Sequence, residues 1–94
     1  MNKEEFKAKA AKTIDDVSAK INELKAKSES VRDDAKSKYE SSLKDLEAIN
    51  ADLKAKYAKV ESASDEKWEE TKSAFSSASQ SFKEGFSKIG TLFS

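Results

Sequence analysis

Apolar side chains recur along most of this chain at alternating spacings of three and four residues, which is the heptad pattern of a coiled coil. The pattern is clearest between Leu43 and Val60, where a single polar residue, Asn50, lies within it. From there the same apolar seam can be followed towards the N-terminus. The predicted self-association seam comprises Ile14, Val17, Ile21, Leu24, Val31, Tyr39, Leu43, Leu46, Asn50, Leu53, Tyr57 and Val60.

The polar positions favour one long helix over about residues 3–61. Asn2 followed by Glu5 has the form of an N-cap with an acidic residue at the third helical position. Acidic residues repeatedly precede a lysine by four positions, as Glu23 precedes Lys27, and each such pair stabilises an isolated helix by about 0.2–0.5 kcal/mol. A helix of this length needs a second helix to cover its apolar seam.

The heptad spacing is interrupted once, between Ser28 and Tyr39, by an eleven-residue block. We interpret this block as a stutter, which locally unwinds the supercoil without breaking the helix. The alternative is a three-helix bundle with breaks near residues 29 and 63. In that alternative Ser30 would be the N-cap of the middle helix, with Asp33 in the first turn.

A second amphipathic helix is predicted at about residues 65–90, after a turn at 62–65 that contains Ser64 and Asp65 as candidate caps. From this turn onward, charge decreases, Ser becomes frequent and aromatic residues recur at seven-residue spacing. Gly90 is a natural end for this helix. Its predicted partner-binding or lipid-binding face comprises Trp68, Phe75, Phe82, Phe86, Ile89 and Phe93.

Composition supports an all-α fold within a single domain spanning residues 1–94. Charged residues make up 38% of the chain and hydrophobic ones 36%, but Pro is absent and the apolar spacing is regular, which favours helix over disorder. The 18 basic and 18 acidic residues cancel, so we expect no nucleic-acid partner. The N-terminal sequence resembles no signal peptide and no apolar run reaches transmembrane length, so we expect a cytoplasmic protein.

Residues able to carry chemistry are few. The chain has no Cys and no His, which excludes thiol nucleophiles and leaves only carboxylates as metal ligands. Glu69 and Glu70 follow Trp68 as first-turn acids of a helix, and no nucleophile or phosphate-binding loop accompanies them. We therefore expect no catalytic residue, no metal site and no cofactor.

The polar members of the seam are expected to specify its geometry. A buried Asn50 would fix register and strand number; alternatively, the helix is rotated so that Ile49 faces the partner and Asn50 lies at the rim. Tyr39 and Tyr57 are expected to place their rings in the seam and their hydroxyls at its solvated edge.

The aromatic face supports two interpretations, packing against protein or shallow insertion into a membrane surface. Helices that bind anionic lipid usually carry a polar face rich in Lys and Arg. Here the basic and acidic residues of the polar face balance, which favours packing against protein. The residues concerned are Lys72, Lys83 and Lys88, matched by Glu69, Glu70 and Glu84.

With these residues in view, the chain resembles a family of small bacterial coiled-coil proteins. These proteins have a long Lys/Glu/Ala-rich helix, a turn of the form Ala-Ser-Asp-x-x-Trp-x-x-x-Lys and an aromatic C-terminal helix. Residues 63–72 match that turn, and residues 34–40, 74–75 and 81–86 also look like the family. The resemblance implies a non-enzymatic helical protein, in some members associated with stress conditions, and implies no catalytic or binding residues.

These observations favour a cytoplasmic, non-enzymatic coiled-coil protein that forms a homo-oligomer along Ile14–Val60. The aromatic helix would complete the assembly or bind a protein partner. One alternative is a peripheral membrane- or lipid-surface-binding protein that uses the amphipathic helix from Trp68 to Phe93. The other is a hydrophilic stress protectant that is partly disordered in dilute solution, which the Lys/Glu/Ala/Ser composition suggests.

Overall fold

Residues 2–91 are described by the computed structural model, and within them the chain folds into a bundle of three α-helices. A 3₁₀ turn precedes each of the last two helices, at Ser28–Ser30 and Asp65–Lys67. The bundle measures 50 × 18 × 17 Å. The helices are α1 (Lys3–Lys27), α2 (Asp33–Ser62) and α3 (Trp68–Gly90). This confirms the all-α fold class and the helix predicted at about residues 65–90.

The break between α1 and α2 is the one that the three-helix alternative places near residue 29. The interpretation of residues 3–61 as one unbroken helix is therefore wrong at residues 28–32. The Ser28 N–H and hydroxyl both donate to the Lys25 carbonyl, which tightens the end of α1. Val31 and Arg32 are then extended, with ψ angles of 138° and 146°. The eleven-residue block therefore contains a turn, at residues 28–32, and is not a stutter. Folding back covers the apolar seam within one chain, which an isolated straight helix could not do.

The N-cap of α1 is the residue that the sequence predicts, whereas the N-cap of α2 is a different one. The Asn2 side-chain oxygen accepts a hydrogen bond of 2.8 Å from the Glu5 N–H, as predicted. The N-cap of α2 is Arg32 and not Ser30, and it makes no side-chain capping bond. Instead its guanidinium pairs with Asp34 at 3.3 Å across the exposed first turn.

One continuous apolar core runs the length of the bundle, and all three helices contribute to it. The chain reverses direction at each turn, so α1 and α3 run parallel to each other and antiparallel to α2. The turn after α1 also contributes, because Val31 is only 4% exposed. The buried side chains are Ala10, Val17, Ile21, Leu24, Val31, Tyr39, Leu43, Leu46, Leu53, Val60, Trp68, Phe75, Ala78, Phe82 and Ile89.

Tyr39 differs from the expectation that its hydroxyl lies at a solvated edge. The side chain is fully buried, and the hydroxyl donates a hydrogen bond to the Leu24 carbonyl near the C-terminal end of α1. That carbonyl belongs to the last turn of the helix, where backbone acceptors lack intrahelical partners. Burial raises the pKa of the Tyr39 hydroxyl above its ordinary value, because the charged phenolate is poorly solvated there. Tyr57, by contrast, is partly exposed.

Gly85 marks the close approach of α3 to α2. A methyl group built on its Cα would lie 2.8 Å from Cδ2 of Leu46, which is itself 1% exposed. Gly inside a helix costs about 1 kcal/mol relative to Ala, so its presence here has a packing reason. The missing side chain leaves room for Leu46, and α2 and α3 pack closely at this level.

Candidate interaction surfaces

Most of the predicted self-association seam forms the interior of a single chain. Nine of its members are buried core residues: Val17, Ile21, Leu24, Val31, Tyr39, Leu43, Leu46, Leu53 and Val60. The other members, Ile14, Asn50 and Tyr57, are partly exposed. The seam is therefore covered in the closed bundle by the chain's own helices, and its role between chains stays a prediction.

The predicted aromatic face also points into the bundle. Trp68, Phe75, Phe82 and Ile89 are at most 8% exposed, and Phe86 is partly exposed. Phe93 lies outside the described residues. Any surface that this face binds must therefore first separate α3 from its neighbours.

Phe6 of α1 completes the aromatic cluster, and the predicted face did not include it. Its ring meets the rings of Trp68 and Phe75 edge-on, at centroid distances of 5.5 Å and 6.0 Å. Such edge-to-face pairs contribute about 0.5–1.5 kcal/mol beyond area burial. The sequence signal was present, since Phe6 begins the apolar side of the first helix, but its partners are distant in the sequence.

Lys3 connects the start of α1 to the turn before α3. Its ammonium forms an ion pair with Asp65 and lies 5.4 Å from the centroid of the Trp68 ring. The hydrogen bond and the positive charge lower the pKa of the Asp65 carboxyl below its ordinary value. Asp65 is fully exposed to solvent, so this ion pair orients the turn more than it stabilises the fold.

An open groove of about 490 Å³ follows the boundary between α1 and α3. Phe6, Ala10 and Phe75 form its floor, and Lys9, Lys72 and Lys83 contribute to its rim. Ala10 and Phe75 are already packed in the core, so the floor offers little apolar surface to a ligand. The rim charge is also reduced, because Lys72 pairs with Glu69 at 3.4 Å. This groove is a solvated boundary between two helices with no arrangement specific to one ligand.

Asn50 joins α2 to α1 within the chain. Its side-chain amide donates a 3.2 Å hydrogen bond to the Ser18 hydroxyl, while its buried carbonyl oxygen has no hydrogen-bond partner among the described residues. Beside it Lys25 of α1 and Glu47 of α2 form an ion pair at 3.3 Å. These polar contacts join α1 and α2 at one level of the bundle, and the register role expected for Asn50 stays a prediction.

The two groups whose pKa shifts are described above lie in separate elements of the bundle, Tyr39 in α2 and Asp65 in the turn before α3. Within residues 2–91, no group of three or more acidic side chains is arranged to hold a metal ion. In the same part of the chain, no helix combines the length and apolar character needed to cross a membrane.

Comparison with protein-family models, curated proteins and solved structures finds no match to this chain. The resemblance to small bacterial coiled-coil proteins therefore stays a prediction from the sequence.

Proposed function

We propose that this chain is a non-enzymatic helical interaction protein of the cytoplasm that assembles with further copies of itself. The observation that carries the proposal is the nature of the contact between α1 and the rest of the bundle. The buried face of α1 consists of Ala10, Val17, Ile21 and Leu24, spaced as in a coiled coil. A second copy of the chain presents the same helix face, so the surface that accepts α1 within a chain is also complementary to α1 of a neighbour.

The distribution of charge supports an interaction role over a catalytic one. Most of the ion pairs join residues two to four positions apart at the solvated surface, such as Glu23–Lys27 at 3.0 Å and Lys56–Asp52 at 2.6 Å. Exposed pairs of this kind contribute little to stability and keep a helix surface soluble. They flank an apolar core and do not converge on a common cavity.

The test is sedimentation equilibrium of the full chain from about 1 μM to 1 mM, a range that spans weak and moderate association. We expect the average mass to rise from that of the monomer towards that of a dimer as concentration increases. A mass equal to the 10.4 kDa chain at every concentration would overturn the proposal.

Each of the two alternative functions requires a state of the chain other than the closed bundle. Lipid-surface binding requires α3 to leave the core, so liposome flotation of the wild type, abolished by Phe82→Asp, would support it. A stress protectant that is partly disordered would show low helicity in dilute buffer. A cooperative thermal transition from a highly helical state is the result that favours the self-associating bundle over the protectant.

A further inference from the structure

We infer that two copies of this chain associate by exchanging α1, with the turn at residues 28–32 straightened so that residues 3–62 form one helix. In this dimer, α1 of each chain packs on α2 and α3 of the other. This inference rests on the proposed self-association. It specifies that the partner is a second copy of the chain and that the dimer forms by exchange of α1. The exchanged helix would be about 90 Å long at 1.5 Å per residue, against a closed bundle that is 50 Å long.

The turn needs little change to become helix. Val31 has φ −77° and ψ 138°, and Arg32 has φ −62° and ψ 146°. Both φ angles already fall in the helical range, so rotation about ψ at these two residues accounts for most of the change. Residues 28–30 are already in a helical turn, and the Ser28 backbone is right-handed helical.

The sequence across the turn is compatible with an unbroken helix. Residues 3–62 contain neither Gly nor Pro, so no residue in them is a strong helix breaker. In a continuous helix, the eleven residues from Ser28 to Tyr39 would rotate the chain by three full turns plus about 20°. A straightened segment therefore keeps the apolar positions of α1 and α2 on nearly the same side.

Exchange restores the contacts that opening removes. The core contacts of α1 with α2 and α3 form again between chains with the same residues on both sides. What differs is the turn, where the closed form buries Val31 at 4% exposure. The straight form replaces the extended turn with helical backbone hydrogen bonds. The equilibrium between the two forms is therefore set by this short segment and by protein concentration.

Proline substitution at Arg32 tests the route directly. The φ angle of Arg32 suits proline, and the extended Val31 has the conformation that a residue before proline prefers. The closed turn therefore accepts Arg32→Pro, whereas a continuous helix through residue 32 does not. We expect at least about a 100-fold weakening of dimerisation, which is the effect of proline within a helix.

Ser64→Pro is the matched control in the other turn. Ser64 has φ −74°, and Ala63 before it is extended with ψ 134°. Proline is accepted there for the same reasons, but the exchange of α1 leaves that turn closed. We expect the dimerisation constant of Ser64→Pro to stay within about twofold of the wild type, as for a surface substitution away from the change.

Val31→Ala is a substitution that should strengthen dimerisation, whereas Arg32→Pro should weaken it. Val31→Ala removes most of the buried side chain that favours the closed turn and supplies a better helix former. We expect dimerisation to tighten by about tenfold or more. All variants are compared by sedimentation equilibrium after their helicity has been checked by circular dichroism.

Spin labels give the geometry of the dimer. The chain has no Cys, so Ala19→Cys and Ala48→Cys, both exposed, supply unique attachment sites on α1 and α2. The hydrogen bond between Asn50 and Ser18 shows that these stretches of α1 and α2 lie at the same level of the closed bundle, so the width of the bundle and not its length separates the two labels. In a continuous helix they are about 44 Å apart at 1.5 Å per residue.

The labelled chain is unfolded, mixed with excess unlabelled chain and refolded, and the dimer fraction is measured by pulsed dipolar spectroscopy. We expect the distance near 44 Å to replace the short one, because each labelled α1 then packs on an unlabelled chain. A short distance that survives dilution, or unchanged dimerisation of Arg32→Pro, would overturn exchange and leave self-association standing. Absence of any dimer, even in Val31→Ala, would overturn both.

Discussion

The two long interfaces of α2 differ in the kind of contact that makes them. Against α3, α2 packs with apolar side chains and a close approach, in which Leu46 occupies the space beside Gly85. Against α1, the same helix also makes polar contacts, from the Tyr39 hydroxyl to the Leu24 carbonyl and from Asn50 to Ser18. The α2–α3 interface therefore combines apolar packing with a close backbone approach. The hydrogen bonds between α1 and α2 are directional contacts that contribute only about 1 kcal/mol each.

The largest expected effect on stability comes from removing one large core side chain from α3 or from α1. Phe82 of α3 is 2% exposed and Ile21 of α1 is 4% exposed. We expect Phe82→Ala to lower the free energy of unfolding by about 3–5 kcal/mol and Ile21→Ala by about 2–5 kcal/mol, with the greater loss in Phe82→Ala because the larger ring leaves the larger cavity. Urea denaturation followed by circular dichroism measures both. An equal or greater loss in Ile21→Ala would contradict the expectation that removal of the Phe82 ring leaves the larger cavity.

The sequence predicts the local features of this fold well. The Asn2 cap, the turn at Ser64 and the end of α3 at Gly90 depend on residues within one or two helical turns, so spacing and residue type are enough to identify them. The seam and the aromatic line likewise identify most of the core, since heptad spacing reports which side of a helix is buried.

Features that depend on folding back could not be read from the sequence. The block from Ser28 to Tyr39 has the spacing of a stutter and also suits a turn, and only tertiary packing decides between them. Lys3 and Phe6 meet Asp65 and Trp68 only because the chain reverses twice. The heptad position of Tyr39 predicts burial of its ring, but not that the Leu24 carbonyl lies beside its hydroxyl.

The close approach of α2 and α3 is tested by alanine at the two glycines of α3. Ala at Gly85 gains up to about 1 kcal/mol of helix propensity but overpacks against Leu46, at a cost of about 1–3 kcal/mol. We expect Gly85→Ala to destabilise the bundle by about 1 kcal/mol on balance. Thermal and urea denaturation of the purified variant measure the change.

Gly90→Ala is the control, because nothing lies within 4 Å of the methyl group that it adds. We expect it to stabilise the bundle by a few tenths of a kcal/mol through helix propensity alone. In a Leu46→Ala background, Gly85→Ala should become stabilising, since the side chain that it meets is gone. Additive effects of the two changes would argue against a direct contact.

The polar side of the comparison is tested by Tyr39→Phe, which removes the hydroxyl that bonds to the Leu24 carbonyl. We expect a loss of about 1 kcal/mol in unfolding free energy at pH 7. The raised pKa of Tyr39 also predicts a dependence on alkaline pH. The folded state retains the proton longer than the unfolded state, so stability falls as pH rises above the ordinary tyrosine value near 10.

Tyr39→Phe separates the contribution of this buried hydroxyl to the alkaline pH dependence from that of the rest of the chain. We expect the variant to lose less stability than the wild type between about pH 9.5 and 11, around the ordinary tyrosine pKa. The measurement is the urea midpoint at each pH. Parallel curves for the two proteins would show that the buried hydroxyl does not control the alkaline transition.

The smallest expected effect concerns Lys3, the one residue of α1 that bonds to the turn before α3. Its ammonium lowers the pKa of the exposed Asp65 carboxyl, so Lys3→Met should return that pKa towards its ordinary value near 3.9. Stability from this ion pair is present above that value and is lost as pH falls through the lowered pKa of the folded state. An NMR titration of the Asp65 carboxyl carbon measures the shift directly. If the pKa is the same in Lys3→Met as in the wild type, the contact between α1 and this turn rests on the rings of Phe6 and Trp68 and not on charge.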